Sequence, residues 1–289
     1  MANNDVTLTA ALRTNLLSLQ GTQRQMDSTQ LRLATGKKVN GALDNANAFF
    51  ASQSLTNRAN DLTRLQDGMG QSIQVLKAAD EGIKSITSYL EQMQAVAQEA
   101  LDQANAATDG IPVDNLSLAA SFDELRGQLD GVAGDSGYRG TNLLSEGTLS
   151  VTFNEDGSST LSVTGVDFST GATGLNIAAA NFAAGTPGDP TDKAAGIAAI
   201  QASLDSIKDA LTTVRAQARS FGTNLNIIQT RQDFTANIIN TLKEGSDKLV
   251  LADNNEEGAK LLALQTQQQL GVTSLSLASQ AQQSVLSLF

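Results

Sequence analysis

The sequence predicts a mainly α-helical protein: an elongated antiparallel helical bundle or coiled coil formed by both arms of the chain, with a small central insertion that contains a β-hairpin. Three observations lead to this fold class. Apolar residues recur at helical spacing through both arms of the 289-residue chain. The apolar–polar alternation that is typical of strands is confined to the centre. Aromatic residues make up only 4% of the chain, which favours slender helices over a thick globular core.

The N-terminal stretch is predicted to form one helix over residues 6–35. Apolar residues recur at every seventh position: Leu12, Leu19, Met26 and Leu33. The second core position is assigned to Leu16, Gln23 and Gln30. Two polar residues at core positions predict a weak coiled-coil seam, and a helix on a globular core is the alternative. Gly36 is expected to cap the C-terminus of this helix.

Two more helices are predicted before the centre of the chain, a long one over about 44–106 and a shorter one over about 115–130. Apolar residues in the long stretch fall mostly at steps of three, four or seven, and no proline interrupts it. Such a long run without internal caps indicates a helical bundle. Four glycines are then expected to interrupt regular structure: Gly131, Gly134, Gly137 and Gly140.

The segment over residues 141–188 changes period and is predicted to contain a β-hairpin. Residues 154–157 have the composition of a turn, and apolar residues alternate with polar ones on both sides of it: Leu149, Val151, Phe153, Leu161 and Val163. Alternation on both sides of a short turn is typical of two antiparallel strands.

The C-terminal arm mirrors the N-terminal arm. Asp189 is the expected N-cap of a helix that starts at Pro190 and runs to about residue 250. Residues 252–255 are expected to break it, and a last helix is predicted over about 256–289. The order of elements is nearly palindromic, so it predicts that the two chain ends lie side by side.

Composition excludes several kinds of chemistry. The chain has neither Cys nor His, so it can form no disulfide, cysteine–zinc site or Ser-His-Asp triad. Its net charge is −11, and the absence of a basic stripe disfavours nucleic-acid binding. No acid, base and nucleophile converge in the sequence. We therefore expect a protein that is not an enzyme and needs no cofactor or metal.

Two short features allow a functional interpretation, and each has a simpler one. Asp253, Glu256 and Glu257 form a dense carboxylate cluster, but they lack the spacing of a calcium loop. Carboxylates that complement the start of a helix are the better interpretation. Asn115-Leu116-Ser117 is a lone glycosylation sequon at the start of a predicted helix. No secretory signal and no membrane-spanning stretch are expected.

Several motifs in both arms resemble those of the bacterial flagellins. Residues 12–19, Leu-Arg-Thr-Asn-Leu-Leu-Ser-Leu, resemble the family's opening Ile-x-Thr-Asn-x-x-Ser-Leu, and residues 33–40 resemble its Leu-Ser-Ser-Gly-Lys/Arg-x-Ile-Asn. Residues 138–144 resemble its Phe/Tyr-Asn-Gly-x-x-Leu-Leu. In the C-terminal arm the matching stretches are 219–222, 252–257 and 284–289. Together these motifs follow the family's order over about 200 residues, outside the variable segment.

This resemblance implies a structural subunit that polymerises head-to-tail into the helical flagellar filament for motility. Five segments are expected: residues 1–40 and 254–289 as the inner coiled coil, 41–140 and 189–253 as the helical shell, and 141–188 as a variable outer insertion. The predicted polymerisation seam consists of Leu12, Leu16, Leu19, Met26, Leu33, Leu261, Leu264, Leu275, Val285, Leu286 and Phe289.

The resemblance also implies partners and a location. The expected partners are further copies of this chain, hook-associated junction and cap proteins and a flagellar export chaperone, with no nucleic acid and no membrane. The protein is expected to leave the cell through the flagellar type III apparatus and to reside in the extracellular filament.

One stretch departs from the family pattern. Many flagellins carry a Leu-Gln-Arg-x-Arg-Glu-Leu segment that innate immune receptors recognise, and the matching stretch here, 90–96, has Gln92 and Gln94 at both Arg positions. We therefore predict weak or no receptor activation, and a strong response in a receptor reporter assay would contradict this.

Two alternatives stay open from the sequence. A hook–filament junction protein has similar terminal arms but caps or adapts rather than polymerising at length. A surface adhesin or carbohydrate-binding protein would use residues 141–188, although this segment has few aromatic side chains for stacking on sugars.

Overall fold

The computed structural model describes residues 10–107, 114–182 and 190–286. This part contains five helices, α1 (Ala10–Thr35), α2 (Ala46–Ala106), α3 (Asp114–Asp135), α4 (Pro190–Val250) and α5 (Asn254–Leu286), and two strands, β1 (Thr148–Thr152) and β2 (Thr160–Thr164). The strands form an antiparallel two-stranded sheet between α3 and α4 in the chain. The predicted fold class, mainly helical with a central hairpin, is confirmed.

The chain divides into two compact units. The terminal unit comprises the described residues up to Ala59 together with those from Asn240 onward, and the central unit is Asn60–Ile239. The boundary falls within α2 and within α4. The five-segment division inferred from the sequence stays a prediction.

In the terminal unit, the connectors that follow α1 and α4 pair with each other. The backbone N–H of Lys38 donates to the carbonyl of Val250 at 2.7 Å, and the N–H of Ala252 donates to the carbonyl of Gly36 at 3.0 Å. Gly36 has φ +68°, the left-handed conformation expected of a glycine cap. The palindromic order of elements thus brings the two connectors together through backbone hydrogen bonds.

The core of the central unit contains side chains from α2, α3, α4 and the segment after α3. The largest fully buried side chains are Phe122, Phe168, Phe182, Met69, Leu76, Ile86, Leu90, Met93, Leu129, Leu143, Leu144 and Ile177. The rings of Phe122 and Phe182 meet edge to face, with centroids 5.2 Å apart. Residues of the 141–188 segment therefore pack in the same core as the helices.

Helix α3 is longer than predicted, because it continues through Gly131 and Gly134 to Asp135. Leu129 and Ala133 on its last turns are buried. The side-chain amide of Asn142 donates to the carbonyls of Ala133 and Gly134 at 2.7 and 2.9 Å. Burial and these hydrogen bonds to terminal carbonyls offset the cost of about 1 kcal/mol per helical glycine. The prediction that Gly131 and Gly134 interrupt regular structure is wrong.

The hairpin has the predicted strands and turn. Leu149 pairs with Val163 and Val151 with Leu161. Gly157 in the turn has φ +72°, and the turn is held by the N–H of Ser159, which donates to Oδ1 of Asn154 at 2.9 Å.

A segment without strands follows the hairpin and is attached to α3 by two carboxylates. The N–H and Oγ1 of Thr170 donate to Asp130 at 2.6 and 2.9 Å. The N–H of Ala180 donates to Asp123 at 3.0 Å. These bonds place the buried side chains of Phe168, Ile177 and Phe182 in the core.

The ends of the C-terminal helices match the prediction closely. Helix α4 ends at Val250 as expected, whereas its expected N-cap, Asp189, lies outside the described residues. Helix α5 begins at Asn254, two residues before the predicted start. Asp253 caps it, since its Oδ1 accepts from the N–H of Asn255 at 2.9 Å and of Glu256 at 3.3 Å.

Candidate functional site

The paired helices α1 and α5 form the candidate site. Each helix turns a stripe of buried or half-buried residues toward the other, and we call the two stripes together the seam face. On α1 the stripe is Leu12, Asn15, Leu19, Thr22, Met26, Thr29 and Leu33. On α5 it is Glu257, Leu261, Leu264, Gln268, Gly271, Leu275 and Ala278. Both stripes alternate steps of three and four, the heptad pattern of a two-stranded antiparallel coiled coil.

The second core position of α1 differs from the prediction. Gln23 and Gln30 are exposed, whereas Thr22 and Thr29 are buried. The second core position therefore lies three residues after Leu19 and Met26, and not four residues after them as predicted. A threonine is tolerated there because its hydroxyl can bond within its own helix, and Oγ1 of Thr22 donates to the carbonyl of Ser18 at 3.1 Å.

Three contacts join the two helices at defined points. Nη1 of Arg32 lies 3.1 Å from Oε1 of Glu257, and Nε2 of Gln268 donates to Oε1 of Gln23 at 2.7 Å. Leu19 packs so closely on Gly271 that an added Cβ there would lie 2.8 Å from Cδ2 of Leu19. All three contacts belong to one antiparallel register.

Glu257 is the most unusual side chain of the seam face. Its side chain is 9% exposed, against 31% for its partner Arg32. Its second oxygen, Oε2, is buried and has no hydrogen-bond partner among the described residues. The carboxylate therefore relies on Arg32 for compensation of its charge.

The residues predicted for the polymerisation seam occupy different positions. Leu12, Met26 and Leu264 are buried, and Leu19, Leu33, Leu261 and Leu275 are half-buried on the seam face. Leu16 lies outside it and is 37% exposed. Val285 and Leu286 belong to α5, and Phe289 lies outside the described residues. Their common role in polymerisation stays a prediction.

The terminal unit also exposes large apolar side chains away from the seam face. On α1 and α5 these are Leu17, Leu31, Leu262, Leu270, Val272 and Leu277, each more than half exposed. Leu43 and Phe50, near the connector, are exposed as well. Large exposed apolar surfaces mark sites of protein association. The single apolar stripe predicted for each helix does not include these residues.

The remaining polar features have structural roles. Asp253 caps α5 and Glu257 pairs with Arg32, so the carboxylate cluster serves helix termini and packing. Among the described residues, no group of three or more Asp, Glu, His or Cys could hold a metal ion. Asn115 of the sequon is fully buried, and its Nδ2 donates to the carbonyl of Ala100 at 3.1 Å. This burial removes it as a glycan acceptor in the folded protein.

The pKa shifts also belong to turns and exposed ion pairs. The backbone N–H of Ser169 holds the pKa of Asp167 below its usual value, and the N–H of Ser158 does the same for Asp156. Lys248 lowers the pKa of Glu244, which lies one helical turn before it. No helix within residues 10–107, 114–182 and 190–286 is long and apolar enough to cross a membrane.

Long paired helices with exposed apolar side chains are typical of structural proteins that associate with other chains. Two protein-family models match the chain: the bacterial flagellin N-terminal helical region over residues 6–148 and the bacterial flagellin C-terminal helical region over residues 204–289. The chain belongs to the bacterial flagellin family, a family of structural proteins, and is a subunit of the flagellar filament that serves motility.

Named relatives agree with this assignment. The chain is 30% identical to flagellin FljK of Caulobacter vibrioides over 298 residues, which covers 100% of both chains. It is 28% identical to a flagellin of Brucella melitensis, over 96% of this chain and 95% of the relative. A crystal structure of Bacillus cereus flagellin aligns with a TM-score of 0.45 and 16% identity, over 58% of this chain and 88% of that one.

Proposed function

We propose that the terminal unit is the part through which copies of this chain polymerise, with the predicted seam residues packed in an inner layer of the filament. The observation that carries this proposal is the distribution of apolar surface on α1 and α5. One stripe of each helix is covered by the other helix, while six large apolar side chains on the other faces remain more than half exposed. A single copy leaves that surface unburied, and neighbouring copies would cover it.

Burial of this exposed apolar surface would favour association. Full burial of an exposed leucine side chain is worth about 1.5–3 kcal/mol. The burial of several such residues per copy, repeated at each interface of a helical assembly, is of the same order as the cost of association, roughly 4–15 kcal/mol. A head-to-tail interface whose rotation does not close generates an open helical filament. Leu16, exposed on α1, fits a contact between copies better than one within a copy.

Location and partners follow from family membership as part of the same proposal. The chain is exported by the flagellar type III apparatus, aided by a chaperone, and assembles outside the cell between junction and cap proteins. Family members are structural, which supports a role without catalysis. Its net charge of −11 supports the expectation that it binds neither nucleic acid nor a membrane surface.

Removal of the N-terminal segment tests whether the terminal unit is needed for polymerisation. A chain that lacks residues 1–40 is expected to keep a folded central unit by circular dichroism and to form no filaments by electron microscopy after salt-induced assembly. Normal filaments from this truncated chain would disprove the proposal.

A point variant tests it without removing structure. Leu270→Gln changes a side chain that is 64% exposed, so the monomer is expected to unfold at the same urea concentration while assembly is weakened. Leu116→Gln is the matched control, since Leu116 lies on α3 in the central unit and is 62% exposed. Equal assembly of both variants would contradict the assignment of the interface to the terminal unit.

A further inference from the structure

The heptad pattern of α1 leaves the register of the α1–α5 pair ambiguous. Leu12, Leu19, Met26 and Leu33 recur every seven residues, so a shift of one helix by seven residues again places apolar side chains on the seam face. In coiled coils, polar residues at core positions commonly resolve this ambiguity. Such residues are present in the α1–α5 pair.

The observed register follows from the three contacts between the helices. Leu19 meets Gly271, Gln23 meets Gln268 and Arg32 meets Glu257. The helices are antiparallel, so a step toward the C-terminus of α1 matches an equal step toward the N-terminus of α5. From the Leu19–Gly271 contact, a step of three places Thr22 opposite Gln268 and a step of seven places Met26 opposite Leu264. In this register Glu257, buried and with one oxygen unpartnered, has its counter-charge beside it.

We propose that the Arg32–Glu257 ion pair, together with the space left by Gly271, selects this register of the α1–α5 pair against the registers shifted by seven residues. The inference deepens the proposed function, since the same seam face is proposed to form the inner layer of the filament. Arg32, Glu257 and Gly271 act as positioning residues: they determine which α5 residues each α1 residue faces.

Both shifted registers separate the ion pair. In one of them Glu257 would face Met26. The place that Arg32 occupies beside Glu257 would then be taken by Gln25, which has no charge. In the other, Glu257 would lie level with the connector beyond Gly36. A shift in either direction would also break the connector hydrogen bonds. A buried carboxylate without its cation is strongly unfavourable, so each alternative is penalised although its apolar contacts are similar.

The contact of Leu19 with Gly271 adds a steric contribution. The backbone of α5 approaches Leu19 closely because residue 271 has no Cβ. In one shifted register Leu19 would face Leu264 and in the other Ala278, so the close packing of Leu19 against the backbone of α5 would be lost. The Gln23–Gln268 bond discriminates less, because Gln30 would take the place of Gln23 after a shift in the other direction.

Disulfide formation can report the register directly, because the chain contains no cysteine. A disulfide requires Cα atoms within about 7 Å, whereas a seven-residue shift moves a helical residue by about 10 Å. Met26→Cys with Leu264→Cys reports the observed register. Leu33→Cys with Leu264→Cys and Thr22→Cys with Leu261→Cys report the two shifted registers. Intrachain products are separated from interchain ones by their mass on a non-reducing gel.

The experiment uses the full chain, both as the monomer and as assembled filaments. Without further changes, the Met26–Leu264 pair is expected to oxidise at least about tenfold faster than either shifted pair. Arg32→Gln is expected to lower the ratio of the Met26–Leu264 crosslink to the shifted crosslinks several-fold. Arg32→Lys is expected to restore this ratio. Gly271→Leu is expected to lower the ratio as well. Gly21→Leu, on α1 where an added Cβ has open space, is the matched control and should leave it unchanged.

Each outcome decides the inference. Unchanged ratios in Arg32→Gln and Gly271→Leu would overturn it and assign the register to the connector hydrogen bonds. Loss of every crosslink would also overturn it, since these residues would then support pairing in general rather than one register. If the ratios behave as expected in the monomer but the chain fails to polymerise, the inference stands and the proposed function fails. If filaments form but all three cysteine pairs crosslink equally, the proposed function stands and the inference fails.

Discussion

Gly82 in α2 shows at the scale of one residue how close packing restricts the sequence. A Cβ at this position would overlap the side chain of Ser136 and lie 2.6 Å from Cδ1 of Leu144, which is fully buried. Gly68, also in α2, has nothing within 4 Å of its added Cβ. From the sequence both glycines carry the same helix cost, and only their surroundings distinguish them.

Alanine substitution at these two glycines should therefore act in opposite directions. Gly82→Ala is expected to destabilise the protein by about 1–3 kcal/mol, because Leu144 and Ser136 must move. Gly68→Ala is expected to stabilise it by about 1 kcal/mol through helix propensity. Urea unfolding followed by circular dichroism measures both, and a stabilising Gly82→Ala would contradict the packing at this site.

Asp167 provides a second prediction at this scale, for pH. The N–H of Ser169 donates to its Oδ1 at 2.9 Å and Oγ1 of Thr173 donates to its Oδ2 at 3.1 Å, and the pKa of this carboxyl is lowered. Because this pKa is lower in the folded state than in the unfolded state, the carboxylate stabilises the fold at every pH above the unfolded-state pKa of about 3.9. This stabilisation is lost as the pH falls through the folded-state pKa.

Asp167→Asn is therefore expected to reduce the acid-dependent part of the stability. Its unfolding midpoint in urea should fall less between about pH 5 and about pH 2.5 than that of the unchanged protein. An equal fall in both proteins would show that the turn contributes nothing to the acid dependence.

At the scale of elements, the α1–α5 pair separates residues that pack within one copy from residues available to other copies. Met26 is 6% exposed on the seam face, whereas Leu17 is 61% exposed on another face of the same helix. Both are apolar and both lie within the predicted helix. Their different burial gives them different expected effects on folding and on assembly.

Met26→Ala is expected to destabilise the α1–α5 pair by about 2–5 kcal/mol, because it leaves a cavity in the seam. Leu17→Ala should leave that pairing nearly unchanged and weaken polymerisation. Hydrogen exchange of α1 in the monomer and sedimentation of filaments separate the two effects. Faster exchange in both variants would contradict the assignment of Leu17 to a free face.

At the scale of the whole molecule, the two compact units have different sources of stability. The central unit contains a continuous core with aromatic side chains, including Phe122, Phe168 and Phe182. The seam face of the terminal unit contains several polar residues, among them Thr22, Thr29 and Gln268. A core of this kind supplies less apolar burial per residue.

We therefore expect a chain of residues 60–239 to fold by itself and to unfold in one cooperative transition, whereas the terminal unit should be lost first on heating the full chain. Thermal unfolding by calorimetry with limited proteolysis checks this. A fragment 60–239 that shows no cooperative transition would indicate that its core depends on the terminal helices.

The sequence by itself determined the helices, the hairpin and the pairing of the two arms. Helical and strand periodicities arise from which side of an element is buried, so they are readable in the order of residues. The cap at Gly36, the turn before Gly157 and the end of α4 at Val250 follow from local backbone preferences. The motifs that resemble flagellins indicated the family before any contact was known.

Only the tertiary structure decided which residues meet across the elements. It placed Thr22 and Thr29 rather than Gln23 and Gln30 in the seam, because steps of three and of four are both compatible with a seven-residue repeat. It extended α3 through Gly131 and Gly134, because Asn142 from the following turn satisfies the last carbonyls. It paired Arg32 with Glu257 across 225 residues of chain. Such contacts depend on the three-dimensional path of the chain, and no local pattern in the sequence specifies them.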